Sequence, residues 1–176
     1  MAMSRRDHLV ETALDLFYRH GFHATGIDRI LAASGVAKMT LYKHFGSKED
    51  LILAVLRLRD ERFRQWFRAA VESRARSPRK RLIAIFDVLE AWFSADGFQG
   101  DMFTHAAAEY GDPAHPIHAA AAEHKAAMRR YLQSLASAIR FPTARCAPLR
   151  AAFHSSSCDT ATYPPVFVAP PAAFFA

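Results

Sequence analysis

The stretch GVAKMTLYKHFGSKEDL, from Gly35 to Leu51, combines three lysines and a histidine with a sparse set of apolar positions. Val36, Leu41 and Phe45 lie where side chains of a short helix turn back toward a core. Most of the residues between them are basic, polar or aromatic, so this helix offers more side chains to its surroundings than to the core. Two interpretations follow, a surface helix of an enzyme or a helix that lies in a groove of DNA.

Helix starts around this stretch share one local pattern, a hydroxyl residue followed three positions later by a carboxylate. Such a hydroxyl caps free backbone N–H groups, and the carboxylate favours the positive end of the helix dipole. Glycines at 21, 35 and 46 then mark helix ends. The pattern occurs at Ser4-Arg-Arg-Asp7, Thr25-Gly-Ile-Asp28 and Ser47-Lys-Glu-Asp50. It predicts helices over about 5–20, 26–34 and 37–44, and a long helix from Ser47 to about Ser73.

Amphipathic patterns continue the helical character to about residue 140. After a break marked by Pro78, they predict helices over about 79–95, 101–110 and 117–139. The expected fold is all-α, with a three-helix helix-turn-helix domain at 1–50 joined by the long helix to a helical domain at 51–140. Residues 141–176 hold six of the nine prolines and both cysteines. They predict an irregular tail, disordered or translated in a shifted frame.

Charge and composition narrow the class of protein. The formal net charge is +6, and residues 51–81 alone carry ten Lys/Arg against three Asp/Glu. This excess suits a polyanion, or else a solvated helix face. Cys146 and Cys158 form neither a disulfide framework nor a zinc site. Without a long apolar run or a signal peptide, we expect a cytoplasmic protein with no membrane association.

The N-terminal third resembles the tetracycline-repressor (TetR) family of bacterial transcriptional regulators. The matching elements are Gly21-Phe22, Thr25, Gly35-Val36, Thr40-Leu41-Tyr42, His44-Phe45 and Ser47-Lys-Glu-Asp-Leu51. Residues 97–131 resemble one branch of the family's C-terminal domain. The resemblance implies a homodimer whose helix-turn-helix heads bind a palindromic double-stranded DNA operator. It further implies a C-terminal domain that takes a small effector, and repression that ends when the effector binds.

The same resemblance suggests DNA contacts for the residues around the turn. A lysine at position 38 suits the O6 and N7 acceptors of a guanine or a phosphate, whereas Thr40, Tyr42 and His44 suit phosphate oxygens and fix the register. Arg29 suits either the DNA backbone or a base edge. Lys48 and Thr25 are expected to meet phosphates at helix N-termini. For Lys43, simple solvation is an equal alternative. The candidate DNA-binding residues are Thr25, Arg29, Lys38, Met39, Thr40, Tyr42, Lys43, His44 and Lys48.

Aromatic residues of the C-terminal helices suggest an effector pocket lined by Phe86, Phe103, His105 and Tyr110. The alternative is that these side chains only fill the core. His115, His118 and His124 lie close in sequence, but their spacing does not give a metal-ligand set. We therefore expect neither a metal nor a cofactor.

Two other functions remain as hypotheses. The resemblance implies two long closing helices, of which 117–139 is the first and the proline-rich tail cannot form the second. The chain is then a defective member that folds but binds DNA weakly, as a monomer on one half-site. The other hypothesis is a helical enzyme, which lacks support because no nucleophile–base pair, carboxylate pair or phosphate-binding glycine loop is present.

Overall fold

The structure, a computed structural model, describes residues 4–139, which form seven helices and contain no strand. This confirms the all-α prediction. The predicted helix bounds differ from the observed ones by at most two residues, and the bounds of the first helix agree at both ends. The helices are α1 (Arg5–His20), α2 (Ile27–Ser34), α3 (Lys38–His44), α4 (Lys48–Arg74), α5 (Pro78–Phe93), α6 (Met102–Glu109) and α7 (Pro116–Ser137).

Two of the three predicted caps are confirmed, and one is wrong. The Oγ of Ser4 accepts the N–H of Asp7 at 3.1 Å, and the Oγ of Ser47 accepts the N–H of Asp50 at 3.0 Å. At α2 the capping position is Gly26, which has no side chain to cap with. Pro78 does not end a helix but begins α5, where a missing N–H costs nothing.

The first three helices form the part of the molecule that we call the head. Leu9 and Phe17 of α1 pack with Ile30 of α2 and Leu41 of α3, and all four side chains are buried. The positive φ of +65° at Gly35 makes the turn between α2 and α3. Such a backbone conformation favours glycine, so the turn and the angle between the two helices follow from this residue.

Helix α4 connects the head to the remaining helices, which we call the body (α5–α7). Its 27 residues span about 40 Å. Near its start, Leu51 and Val55 join the buried cluster of the head, which also includes Phe103 of α6 and Ile117 of α7. This cluster therefore continues across the boundary expected at residue 50. Toward its end, α4 enters a second buried cluster, formed by Phe67, Val71, Ile85, Val88 and Leu135.

Some expectations fall on residues that the structure does not describe. The tail at 141–176, with Cys146 and Cys158, lies outside the described residues. Within 4–139, no helix is both long enough and apolar enough to cross a membrane.

Candidate DNA-binding surface

Helix α3 presents most of its side chains to solvent. Leu41 is its one buried residue, while Met39 is 82% exposed and Tyr42 is 46% exposed. Lys43 and His44 are exposed in its last turn, and Thr40 is half-buried. The sequence expectation that this helix faces outward is met in the geometry of α3.

Two cations of the head make weak contacts that a polyanion could replace. The Nζ of Lys38 lies 3.9 Å from the Oδ1 of Asp28, and both side chains are exposed. Arg29 donates from Nη2 to the Nε2 of His20 at 2.8 Å. Exposed pairs of this kind contribute little to stability, so exchanging them for contacts with phosphate costs little.

Thr25 does not lie where the sequence analysis expected it. Its side chain is fully buried, and its hydroxyl donates to the backbone oxygen of Gly21 at 2.8 Å. The hydroxyl closes the end of α1 and is turned away from any phosphate. We therefore remove the Thr25 side chain from the candidate contacts.

Lys48 is also placed differently from the expectation. It is half-buried, and its Nζ donates to the backbone oxygen of His23 at 3.4 Å. Burial lowers the pKa of the Lys48 ammonium, and the negative charge of Glu109 opposes that shift. Lys48 thus contacts the loop between α1 and α2, and a phosphate would compete with that carbonyl.

Arg6 belongs to the same surface but was missed in the sequence. Its guanidinium lies 5.3 Å from the ring centre of Phe45, directly after α3. The contact brings a cation from the first turn of α1 next to the end of α3. The pair Arg5-Arg6 was visible in the sequence, but its position beside α3 depends on packing across 39 residues.

The four residues proposed for an effector pocket do not come together. Phe86 is 67% exposed on α5, whereas Phe103 is buried and stacks on His124 with ring centres 3.7 Å apart. The His105 ring lies under Gly100, where a Cβ would meet its Nε2 at 3.0 Å. Tyr110 packs on His23 of the head. The side chains therefore face four different surroundings, because aromatic content does not specify which helix face is inward.

A groove between α4 and α7 has a volume of about 640 Å³. The Nδ1 of His124 lies 2.7 Å from the Oδ1 of Asp60, and Arg64 donates to the same carboxylate. Alanines 119, 120, 126 and 127 give one wall of the groove an apolar surface. Its charged and titratable side chains are Arg57, Asp60, Arg64, Glu123, His124 and Arg130.

Burial acts on both members of the Asp60–His124 pair. It lowers the pKa of His124, because the imidazolium is poorly solvated between α4 and α7, and the carboxylate of Asp60 opposes this only in part. For Asp60, burial would raise the pKa, but hydrogen bonds from Arg64 and His124 outweigh it and lower the pKa. Both shifts favour a neutral imidazole beside an ionised carboxylate. Among residues 4–139, no three metal-binding side chains form a site for an ion.

Comparison with known proteins places the head in one family. The family model for bacterial regulatory proteins of the tetR family matches residues 9–55. The HTH-type transcriptional activator FasR of Mycolicibacterium smegmatis is 39% identical over 90 residues, which are 49% of this chain. The chain spans only 41% of the length of that protein.

Solved structures extend the similarity beyond the head. A TetR-family transcriptional regulator from Streptomyces coelicolor is 37% identical with a TM-score of 0.72, covering 76% of this chain and 66% of that one. A tetr-transcriptional regulator from Streptomyces avermitilis is 32% identical with a TM-score of 0.67, covering 77% and 73%. The similarity therefore includes the body as well as the head.

The burial of Thr25 gives a prediction for stability. Thr25→Val keeps the shape but leaves the Gly21 oxygen without its hydroxyl donor, so the free energy of unfolding should fall by about 1 kcal/mol. Thr40→Val is the matched control, and it should change stability by less than half as much. Urea unfolding of both variants gives the comparison. Equal stabilities for Thr25→Val and the parent chain would contradict the structural role.

The lowered pKa of His124 gives a prediction for pH dependence. The unfolded state binds a proton near the ordinary histidine pKa of about 6.5, while the folded state resists it. The free energy of unfolding should therefore fall as the pH drops below that value. His124→Gln keeps a donor for Asp60 without titrating, so its unfolding free energy should fall less between pH 7.5 and 5. A steeper fall in the variant would show that Asp60 keeps His124 charged.

Proposed function

Because the chain belongs to the TetR family of bacterial regulatory proteins, we propose that it binds an operator in double-stranded DNA and regulates transcription, as a repressor that a small-molecule effector releases. The observation that carries the proposal is the surface of α3, which buries Leu41 and exposes Met39, Tyr42 and Lys43. A helix built in this way fits the major groove, where side chains reach the base edges.

The proposed contacts divide into two groups. Lys38 and Met39 lie at the start of α3 and are our candidates for reading bases. Arg29, Thr40, Tyr42, Lys43, His44 and Arg6 are candidates for phosphate contacts, which fix the register of the head on the duplex. With about six phosphates neutralised by a pair of heads, the logarithm of the affinity should fall with the logarithm of the salt concentration with a slope of roughly −5.

For the effector, we propose the groove between α4 and α7. Its alanine wall suits an apolar body, and Arg57 and Arg130 suit an anionic group. A small amphipathic molecule would fit this combination. Release from DNA then requires that the effector favour an arrangement of α4 in which the heads no longer match the operator.

The proposed function is tested by selecting bound duplexes from a random pool with the full 176-residue chain at moderate salt. Two palindromic half-sites about one helical turn apart would support a dimeric regulator. A single recovered half-site would favour the alternative, a chain that reads DNA weakly as a monomer. No enrichment at any salt concentration would contradict DNA binding. The sign of regulation is tested with a reporter gene placed behind the recovered site.

Met39 gives a prediction at the level of single bases. We expect its exposed side chain to contact the C5-methyl group of a thymine, since that is the apolar feature of the major groove. Replacing that thymine by uracil removes the methyl group and should weaken binding about fourfold, because burying one methyl contributes about 0.8 kcal/mol.

Comparing the thymine and uracil duplexes in a Met39 variant distinguishes loss of this contact from a general loss of DNA binding. With Met39→Ala, thymine and uracil duplexes should bind equally well. Lys43→Ala is the control, and it should weaken both duplexes while keeping the difference between them. A thymine preference that survives in Met39→Ala would assign the contact to another residue.

A further inference from the structure

The end of α6 meets the loop between α1 and α2 through one carboxylate. Glu109 is the last residue of α6, and its Oε1 accepts the N–H of Phe22 at 2.9 Å. Its Oε2 accepts the N–H of His23 at 2.6 Å. Two consecutive N–H groups of the head are thus held by one side chain of the body. Such charge-assisted bonds are shorter and stronger than those between neutral groups.

The side chain of His23 adds a second attachment at the same place. Its Nε2 lies 3.0 Å from the backbone oxygen of Glu109, so the Nε2–H tautomer donates to the end of α6. The imidazole stacks on Tyr110 with ring centres 4.7 Å apart. The Tyr110 ring packs in turn on His115, which begins the turn into α7. We call this group of Glu109, Tyr110 and the loop residues Gly21–His23 the Glu109 junction.

The close approach of the two chains depends on Gly21. A Cβ at this position would lie 2.9 Å from the Oε1 of Glu109, closer than such atoms normally come. The nearest atoms are the end of the Glu109 side chain, so a larger residue would displace that carboxylate. Because Gly21 has no side chain, the carboxylate of Glu109 can lie against the backbone of the loop.

The junction matters because of how the head is attached. Helices α2 and α3 pack on α1, and α1 packs on α4. Phe103 of α6 and Ile117 of α7 also share the buried cluster of the head, but apolar packing alone still permits small changes in the crossing angle of α1 and α4. The Glu109 junction adds directional hydrogen bonds at the far end of α1 and restricts such changes, and Tyr18 reinforces it by accepting the N–H of Gln99 at 3.0 Å.

We propose that Glu109 is a positioning residue for operator binding, which fixes the direction of the head, and with it of α3, relative to the body. The inference rests on the proposed function for its link to DNA, but the attachment itself does not. In a pair of heads, a small change of direction alters the distance between the two copies of α3. Binding to two half-sites then suffers, whereas binding to one half-site does not.

Glu109→Gln is the variant that tests this role. Glutamine has the same shape but only one acceptor oxygen, so its amide would face the N–H of Phe22 or His23 as a second donor. Glu90→Gln is the matched control, since Glu90 is exposed on α5. The direction of the head is measured as the distance between spin labels at Ala32→Cys in α2 and Asp87→Cys in α5, with Cys146 and Cys158 replaced by serine. Dilution with unlabelled protein suppresses distances between protomers.

We expect a narrow distance distribution with Glu109 or Glu90→Gln, and a broader or shifted one with Glu109→Gln. A second variant approaches the junction from the head. Gly21→Ala should broaden the distribution too, while Gly97→Ala should not, because Gly97 has a similar φ of +80° with no atom near its missing Cβ. A narrow, unshifted distribution in both Glu109→Gln and Gly21→Ala would overturn the proposal.

The link to DNA is measured on the duplexes recovered by selection. Glu109→Gln should weaken binding to the two-half-site operator at least tenfold and change binding to a single half-site less than threefold. Equal losses on both would indicate a merely structural role and overturn positioning. If the unaltered chain recovers no two-half-site operator, the operator-binding part of the proposed function fails, and the role of Glu109 in it fails as well. The spin-label distances would still show whether Glu109 holds the head.

Discussion

The burial of Leu41 under α3 is the contact on which the exposed surface of the head depends. Helix α3 has seven residues, far fewer than the roughly 12–15 at which an isolated helix becomes even marginally stable in water. It persists because Leu41, and Phe45 directly after it, are held in the cluster with Phe17 and Ile30. Removing a leucine side chain from such a site costs about 2–5 kcal/mol. The freedom to expose Met39 and Tyr42 therefore follows from one well-packed position on the opposite face.

Local chemistry allowed the helices to be predicted from the sequence, and it also explains where the prediction was wrong. Ser4 and Ser47 cap their helices because the acceptor and the N–H lie within one turn. Thr25 has the same sequence pattern, but Gly21 ends α1 in a turn that brings the threonine over its last carbonyl groups. The path of the loop decides whether the Thr25 hydroxyl caps the start of α2 or donates to a carbonyl at the end of α1. That path depends on the packing of Phe22, which the spacing of residues does not encode.

The Glu109 junction lay beyond sequence reasoning for a stronger reason. Periodicity and capping report contacts within about one turn, whereas Glu109 and Phe22 are 87 residues apart. In the sequence, Glu109 is one of the residues through which 97–131 resembles the family's C-terminal domain, but its spacing gives no partner for its carboxylate and does not distinguish it from Glu90. The pocket predicted from the aromatic residues is not formed for a similar reason. Phe86 and Phe103 are the same residue type, but Phe86 is exposed on the surface of the body and Phe103 is buried inside it. Contacts of this kind become visible only when the helices are placed in space.

The excess of basic residues in α4 and α5 shows that net charge along the sequence does not by itself locate a DNA-binding surface. The sequence left open whether residues 51–81 bind a polyanion or form a solvated face. In the structure, some of these arginines pair with carboxylates: Arg62 with Glu11 of α1, and Arg64 with Asp60 one turn earlier in α4. Others lie against aromatic rings, Arg59 over Tyr18 and Arg68 over Tyr131. Arg59 and Arg62 thus connect α4 to α1 of the head. The proposed affinity for DNA rests instead on the cations around α3.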